Sequence, residues 1–210
     1  MSLRLEDKAP DFNALSTMGN INFYEYIHNS WAILFSHPAD FTPVCTTELG
    51  ATAMLQEEFK KRNVKVLALS IDSAEKHLEW IKDINEYQKV KLDFPIIADT
   101  TRQVAILYGM IHPNASETFT VRSLFIIGPD KKIKLIINYP LSIGRNFIEI
   151  LRVVDALQLA AAHHVYTPAN WQKGDHVIVP PSISDEDAAT MSNDTVTKLK
   201  PYLRFIPDPS

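Results

Sequence analysis

Residues 31–62 read WAILFSHPADFTPVCTTELGATAMLQEEFKKR, and the order of elements in this stretch sets the architecture. Trp31 to Ser36 is a short apolar run of the length and composition of a buried strand. From Thr46 to Arg62 the residues Leu49, Ala53, Leu55 and Phe59 fall near helical spacing. Glu48 comes early in that segment and Lys60, Lys61 and Arg62 come late, which is the charge order a helix macrodipole favours. A strand, a loop and a helix in this sequence make one βα unit.

The pattern repeats on the C-terminal side. Val64 to Ile71 is mostly apolar and rich in β-formers, which predicts a central strand. Asp72 and Ser73 are candidate caps for a helix over Ala74 to Tyr87 carrying Leu78, Trp80, Ile81 and Ile84. Phe94 to Ala98 predicts a short strand, and Arg102 to Tyr108 a helical stretch. Val121 to Ile127 and Ile133 to Tyr139 are strand-like runs joined by the turn composition Gly128-Pro129-Asp130-Lys131-Lys132, a hairpin pattern. Asn146 to Ala162 then reads as an amphipathic helix with Phe147, Ile150, Leu151, Val154, Leu157 and Ala161 on one face. The order βα, βα, βα, ββ, α predicts an α/β protein with a mixed central sheet flanked by helices, and a thioredoxin-like fold is the simplest solution.

Composition shifts near residue 165. Six of the 13 prolines lie at Pro168 or beyond. The reading is therefore a main domain over 1–164 and a small Pro-rich C-terminal domain over 165–210. Within the latter, Val177 to Val179 reads as a short strand and Asp185 to Met191 as a helical turn. No sustained apolar face follows, so this tail is expected to pack on something rather than to fold alone.

The 210 residues, 46% of them hydrophobic, suffice for a sizeable core. Twenty-one Lys+Arg stand against 25 Asp+Glu, for a formal charge of −4, with no basic block. Nucleic acid is thus not an expected partner. The wholly apolar runs are about five residues long, far short of a membrane span. The first ten residues, with Arg4, Glu6, Asp7 and Lys8, lack the apolar stretch of a secretory signal. A single cysteine, Cys45, excludes an intramolecular disulfide and any multi-cysteine metal site. It also fits a reducing, cytoplasmic setting.

Chemistry concentrates around that cysteine, in His37-Pro38-Ala39-Asp40-Phe41-Thr42-Pro43-Val44-Cys45-Thr46-Thr47-Glu48. The segment lies between a strand end and a helix start. Pro43 suits a first helical turn, where its missing N–H costs nothing. Cys45 then sits among unpaired amides at the positive end of the helix dipole, and both effects favour thiolate over thiol. Thr42 is three residues earlier, about one turn away, so its hydroxyl is placed to reach the sulfur or a ligand on it.

The spacing Pro38-x-x-x-Thr42-x-x-Cys45 within SHPADFTPVCTTELG resembles the active-site motif of the peroxiredoxins, and His37 with Thr46-Thr47-Glu48 is most similar to their 1-Cys subfamily. The resemblance extends through Val121-Arg122, Gly128-Pro129-Asp130-Lys131-Lys132, Tyr139-Pro140, Gly144-Arg145-Asn146 and Ile150-Leu151-Arg152-Val153-Val154. It continues into Thr167-Pro168-Ala169-Asn170-Trp171 and so covers essentially the whole chain. It implies a thiol-dependent peroxidase for hydrogen peroxide and organic or lipid hydroperoxides. On that resemblance Cys45 matches the peroxidatic cysteine, Thr42 and Pro38 the motif residues, and Arg122 the arginine that approaches the thiolate. Glu48 and Arg145 match supporting partners of that arginine, and His37 a histidine near the pocket. Donors from Arg122, the Thr42 hydroxyl and the Cys45 amide are expected on the peroxide oxygens.

The product would be a sulfenic acid on Cys45. With no second cysteine, its reduction is expected from an external thiol, glutathione or a thioredoxin-like protein. The resemblance further implies a homodimer whose tail helps to cover the neighbouring subunit. No cofactor and no metal are expected: there is no phosphate-binding glycine loop and no HExxH, and His163-His164 is too small a ligand set. The sequons Asn114-Ala115-Ser116 and Asn193-Asp194-Thr195 carry little meaning without a secretory signal. Some 1-Cys members are also described as phospholipases, through a Gly-Asp-Ser-Trp-Gly element. Here that stretch is His28-Asn29-Ser30-Trp31-Ala32, both glycines are missing, Tyr24 stands at the histidine position and Asp130 at the aspartate. Lipase activity is therefore not expected. The competing reading is a thioredoxin-fold redox sensor or chaperone-like binding protein with little turnover.

Overall fold

The βα unit predicted from residues 31–62 is present in the computed structural model, which describes residues 3–192 and 195–210. Trp31–Ser36 forms β3, buried from Ala32 onward. The helix begins earlier than the apolar spacing implied: α2 runs Pro43–Met54 and breaks at Leu55, after which α3 covers Gln56–Lys61. Pro43 sits in its first turn because a missing N–H loses nothing there.

The chain divides into two compact units, Met1–Phe147 and Ile148–Ser210. In the first, β4 (Val64–Ser70), β5 (Ile96–Ala98), β6 (Arg122–Ile127) and β7 (Ile133–Tyr139) all fall where the apolar runs predict strands. Helix α4 (Ala74–Gln88) is capped by the Ser73 side chain, which accepts from the Lys76 amide, and α5 covers Gln103–Leu107. Three elements near the N-terminus were not legible: β1 (Asn13–Ser16), β2 (Gly19–Asn22) and α1 (Phe23–Ile27). Their four- and five-residue lengths leave no room for a periodic pattern.

The sheet has seven strands in the order β2-β1-β5-β4-β3-β6-β7. Strands β3, β4 and β5 are mutually parallel, whereas β6 runs antiparallel to β3 and β7 to β6. The sheet is mixed, as the connection lengths require: helices join the parallel strands and the 128–132 turn joins the antiparallel pair. This topology carries the end of β3, the start of α2 and the start of β6 to one place.

The second unit has a small core of its own. Leu159 from α6 (Phe147–His163) packs with Val165, Trp171, Val177, Val179, Ala188 and Ile206. A three-stranded sheet orders β8 (Val177–Ile178), β10 (Leu203–Ile206) and β9 (Thr197–Lys200) as β8-β10-β9, and α7 covers Asp185–Met191. The predicted short strand and helical turn are there, and the apolar residues of the tail pack on Leu159 of α6 rather than on one another alone. Its apolar residues are spread over strands of two to four residues, a short helix and turns, so no face shows in sequence. The unit also begins before residue 165, because the last turns of α6 contribute to that core. Asn193 and Asp194 of the second sequon lie outside the described residues.

Candidate active site

Cys45 is in the first turn of α2 and wholly buried. Thr42 is the N-cap residue, in extended conformation, and the first helical bond runs from the Thr46 amide to the Thr42 carbonyl at 3.0 Å. The Cys45 amide precedes that bond and so lies among N–H groups without a helical acceptor. Phe41, immediately before the cap, has φ of 56°, a left-handed conformation that a bulky side chain rarely adopts.

Glu48 follows Cys45 by three residues, so the two side chains share the inner face of α2. Its buried carboxylate gathers two arginines from distant segments. Arg122, the first residue of β6, donates from Nη1 to Glu48 Oε2 at 2.7 Å. Arg145 donates from Nε to Oε1 and from Nη2 to Oε2, both at 2.8 Å, and its backbone amide adds a third bond at 2.8 Å. Arg145 also donates to the Ser123 carbonyl at 2.9 Å and stacks 4.9 Å from the Phe35 ring centroid. Burial pushes the Glu48 carboxyl up, but the Arg145 bonds outweigh it and hold the group below its ordinary value.

Arg122 is anchored on its other side. Nε and Nη2 both donate to the Leu141 carbonyl, at 2.9 and 2.7 Å, which fixes the guanidinium plane. The remaining reach of Nη1 is toward Cys45 Sγ, 3.4 Å away. Two guanidinium groups against one carboxylate leave one unit of positive charge in a buried cluster beside the Cys45 sulfur.

The Thr42 hydroxyl behaves differently from the expectation. It donates to the Ala39 carbonyl at 2.8 Å. Its proton is therefore committed, and what it offers a ligand is oxygen lone pairs. Pro38 is half-buried just after β3, and His37 is fully buried, with Nε2 2.9 Å from Asp40 Oδ1. Burial holds the His37 imidazole below its ordinary value against the pull of Asp40. All seven residues singled out from sequence thus lie in the first unit, and Cys45, Glu48, Arg122 and Arg145 are joined by direct contacts.

Asp40 and His77 were missed. Asp40 binds His37, and His77 Nδ1 lies 2.5 Å from Asp40 Oδ2. A signal existed: His77 shares its helical spacing with buried Trp80 and Ile84, which places an imidazole on the inner face of α4. Beside the loop, an open groove of about 440 Å³ runs past Phe41, Thr42, Thr46, Trp80 and Tyr87.

The lipase-related residues have other partners. Ser30 Oγ donates to Asn63 Oδ1 at 2.8 Å, and Asp130 pairs with Lys134 at 2.8 Å. Tyr24 donates its hydroxyl to the Ala9 carbonyl. No helix among the described residues is long and apolar enough to cross a membrane.

Comparison with known proteins shows the family. The AhpC/TSA family model matches residues 5–136, and the model of the C-terminal domain of 1-Cys peroxiredoxin matches residues 156–194. A 1-Cys peroxiredoxin of Dictyostelium discoideum is 54% identical over 99% of this chain and 86% of its own length. The solved yeast mitochondrial 1-Cys peroxiredoxin, a protein whose thiol is resolved via glutathione/thioredoxin systems, superposes with a TM-score of 0.92 at 52% identity, covering 98% of this chain and 99% of that one. A cysteine-to-serine mutant of the Peroxiredoxin 6 of Arenicola marina gives a TM-score of 0.94 at 47% identity, with 100% of both chains covered.

Proposed function

The chain belongs to the AhpC/TSA family, in its 1-Cys peroxiredoxin branch, and is a thiol-dependent peroxidase; we propose that Cys45 is the residue that meets the peroxide. The observation that carries this reading is the Arg122 nitrogen 3.4 Å from the Cys45 sulfur, at a helix N-terminus and beside a cluster with one uncompensated positive charge. Few arrangements stabilise an anionic sulfur from so many sides.

The thiolate of Cys45 attacks the terminal oxygen of a hydroperoxide. An S–O bond forms as the O–O bond breaks, and the electron pair leaves on the second oxygen. That oxygen takes a proton and departs as water or an alcohol, and Cys45 is left as a sulfenic acid. Arg122 and the Cys45 amide stabilise the charge that grows on the leaving oxygen. Thr42 accepts the hydroperoxide O–H and so turns the O–O axis toward the sulfur. Pro38 shields the sulfur, and Glu48 and Arg145 keep the Arg122 fork in place. His37 supports the loop.

Substrates are hydrogen peroxide and organic or lipid hydroperoxides. An external thiol condenses with the sulfenic acid, releasing water and forming a mixed disulfide. A second thiol then frees Cys45. Glutathione or a thioredoxin-like protein fits this role, since the chain has one cysteine and the yeast relative is resolved via those systems. A homodimer is the expected assembly: β7 is an outer strand of the seven-stranded sheet, with backbone groups available for association. The single free thiol favours a reducing compartment, and we take it to be the cytoplasm.

The test is the rapid reaction of the reduced protein with one equivalent of hydrogen peroxide, followed by Trp fluorescence in stopped flow. A second-order rate far above that of free cysteine, lost in Cys45→Ser and Arg122→Ala, supports the reading. A rate equal to that of free cysteine sinks it and leaves the sensor alternative.

A further inference from the structure

Asp40 stands at the centre of a buried chain of side chains that the peroxide chemistry leaves unused. His37 Nε2 is 2.9 Å from its Oδ1 and His77 Nδ1 is 2.5 Å from its Oδ2. Its backbone amide donates to Asp72 Oδ2 at 2.9 Å. Both imidazoles are 0% exposed and Asp40 is 4% exposed. The far edge of the His77 ring, Nε2, lies 3.3 Å from the Ile97 carbonyl. A carboxylate only accepts, so Nδ1 is the edge of His77 that carries the ring proton toward Asp40. These separations suit protons rather than a shared metal, because two ligands of one tetrahedral zinc at about 2.0–2.1 Å would stand roughly 3.3 Å apart.

The position of this chain in the fold gives it a consequence for Cys45. Asp40 directly precedes Phe41, whose φ of 56° is strained for an aromatic residue. Phe41 is 48% exposed, so its own packing holds it only in part. Thr42 and Pro43 follow and open α2. Whatever holds Asp40 therefore sets the direction in which the first turn of α2 leaves the loop. In the first unit, His37 Nδ1 is also the one buried side-chain nitrogen or oxygen without a partner among the described residues.

We propose that His77 is a positioning residue for the peroxidase reaction: acting through Asp40, it clamps the strained Phe41 turn, and with it Cys45, and it fixes His37 with its proton on Nε2 and Nδ1 as a free acceptor. The inference rests on Cys45 being the peroxidatic residue. A carboxylate that must accept from both rings leaves His37 one tautomer to adopt.

Two variants test it, both in the full chain. His77→Leu removes the ring's bond to Asp40, whereas in His77→Asn the amide nitrogen takes the place of Nδ1 and keeps that bond. The stopped-flow rate with hydrogen peroxide is expected to fall about 10- to 100-fold in His77→Leu and to recover to within about threefold of the parent in His77→Asn. Long-range 1H–15N spectra of the histidine rings should show His37 protonated at Nε2 in the parent and in His77→Asn, and a mixture of tautomers in His77→Leu. A folded His77→Leu protein with the parent rate, or a parent spectrum with the His37 proton on Nδ1, overturns the proposal. If His77→Leu does not fold, His77→Asn decides alone, and loss of its rate or of the His37 tautomer overturns it. Cys45→Ser runs alongside. If that variant still turned over peroxide, the site reading rather than the positioning role would have failed.

Discussion

Arg122 places one guanidinium nitrogen 3.4 Å from the sulfur of Cys45 across 77 residues of chain. The same nitrogen bonds Glu48, while the other two hold the Leu141 carbonyl. The arginine is thus held from both sides, and in the proposed reaction it meets the charge that moves from sulfur to the leaving oxygen already in place, which is the kind of preorganisation that lowers a barrier.

Replacing Arg122 separates its charge from its shape. Arg122→Ala is expected to lower the peroxide rate by about 10²- to 10³-fold. Arg122→Lys keeps the charge but cannot bond Leu141, Glu48 and the sulfur from one rigid plane, and should fall between that variant and the parent. Stopped-flow rates for the three proteins check this, and a lysine variant as fast as the parent would show that charge alone matters.

Glu48 holds two buried guanidinium groups together, with both partners under 10% exposed. Glu48→Gln removes the negative charge and leaves the arginines facing one another. The expected loss is roughly 3–5 kcal/mol of stability for a broken buried ion pair, with a slower peroxide reaction. Urea unfolding measures the first and stopped flow the second. An unchanged midpoint would mean the cluster is solvated or rearranged.

Acid should destabilise the first unit in a defined direction. Burial holds the His37 imidazole below its ordinary 6.5. Burial raises the Asp40 carboxyl, but hydrogen bonds from His37 and His77 bring it from 3.8 to about 2. Glu48 is likewise held below 4.5. In all three the unfolded chain binds a proton that the folded chain does not, so stability rises with pH. Stability should begin to fall as pH drops below 6.5 on account of His37, and fall further between 3.8 and about 2 on account of Asp40. The urea midpoint followed downward from neutral pH checks the sign. A midpoint that climbs as the solution is acidified from about pH 7 to about pH 5 contradicts it.

Cys45 is wholly buried, so small and large reagents should differ. Hydrogen peroxide is expected to react far faster relative to iodoacetamide than it does with free cysteine. Without added thiol, millimolar peroxide should carry Cys45 past the sulfenic acid to the sulfinic or sulfonic acid. Intact mass spectrometry reads this directly as the addition of two or three oxygens. An unmodified, still reactive thiol after such treatment would refute it.

Much of this protein was legible along the chain. The strands at Trp31–Ser36, Val64–Ser70, Arg122–Ile127 and Ile133–Tyr139 are runs whose own composition demands burial, so their type and order follow from local pattern. Cys45 at a helix start was equally plain, because Pro43 and the strand before it mark the junction. The short N-terminal strands and the sheet of the second unit were not visible, since four-residue polar strands such as Asn13–Ser16 and Thr197–Lys200 owe their conformation to the neighbours they pair with.

The site divides along the same line. Residue identity and local position, which needed no coordinates, made Cys45 a helix-terminal thiol and Glu48 its neighbour on the same face. The direction of each hydrogen bond depended on packing. Thr42 spends its proton on Ala39, Arg122 and Arg145 converge on one carboxylate, and His77 reaches Asp40 from another helix. Separations of 74 and 97 residues stand between Glu48 and its arginines, and 37 between Asp40 and His77. No local pattern encodes a partner at such a distance: it is chosen when the sheet closes and each buried charge must find its opposite.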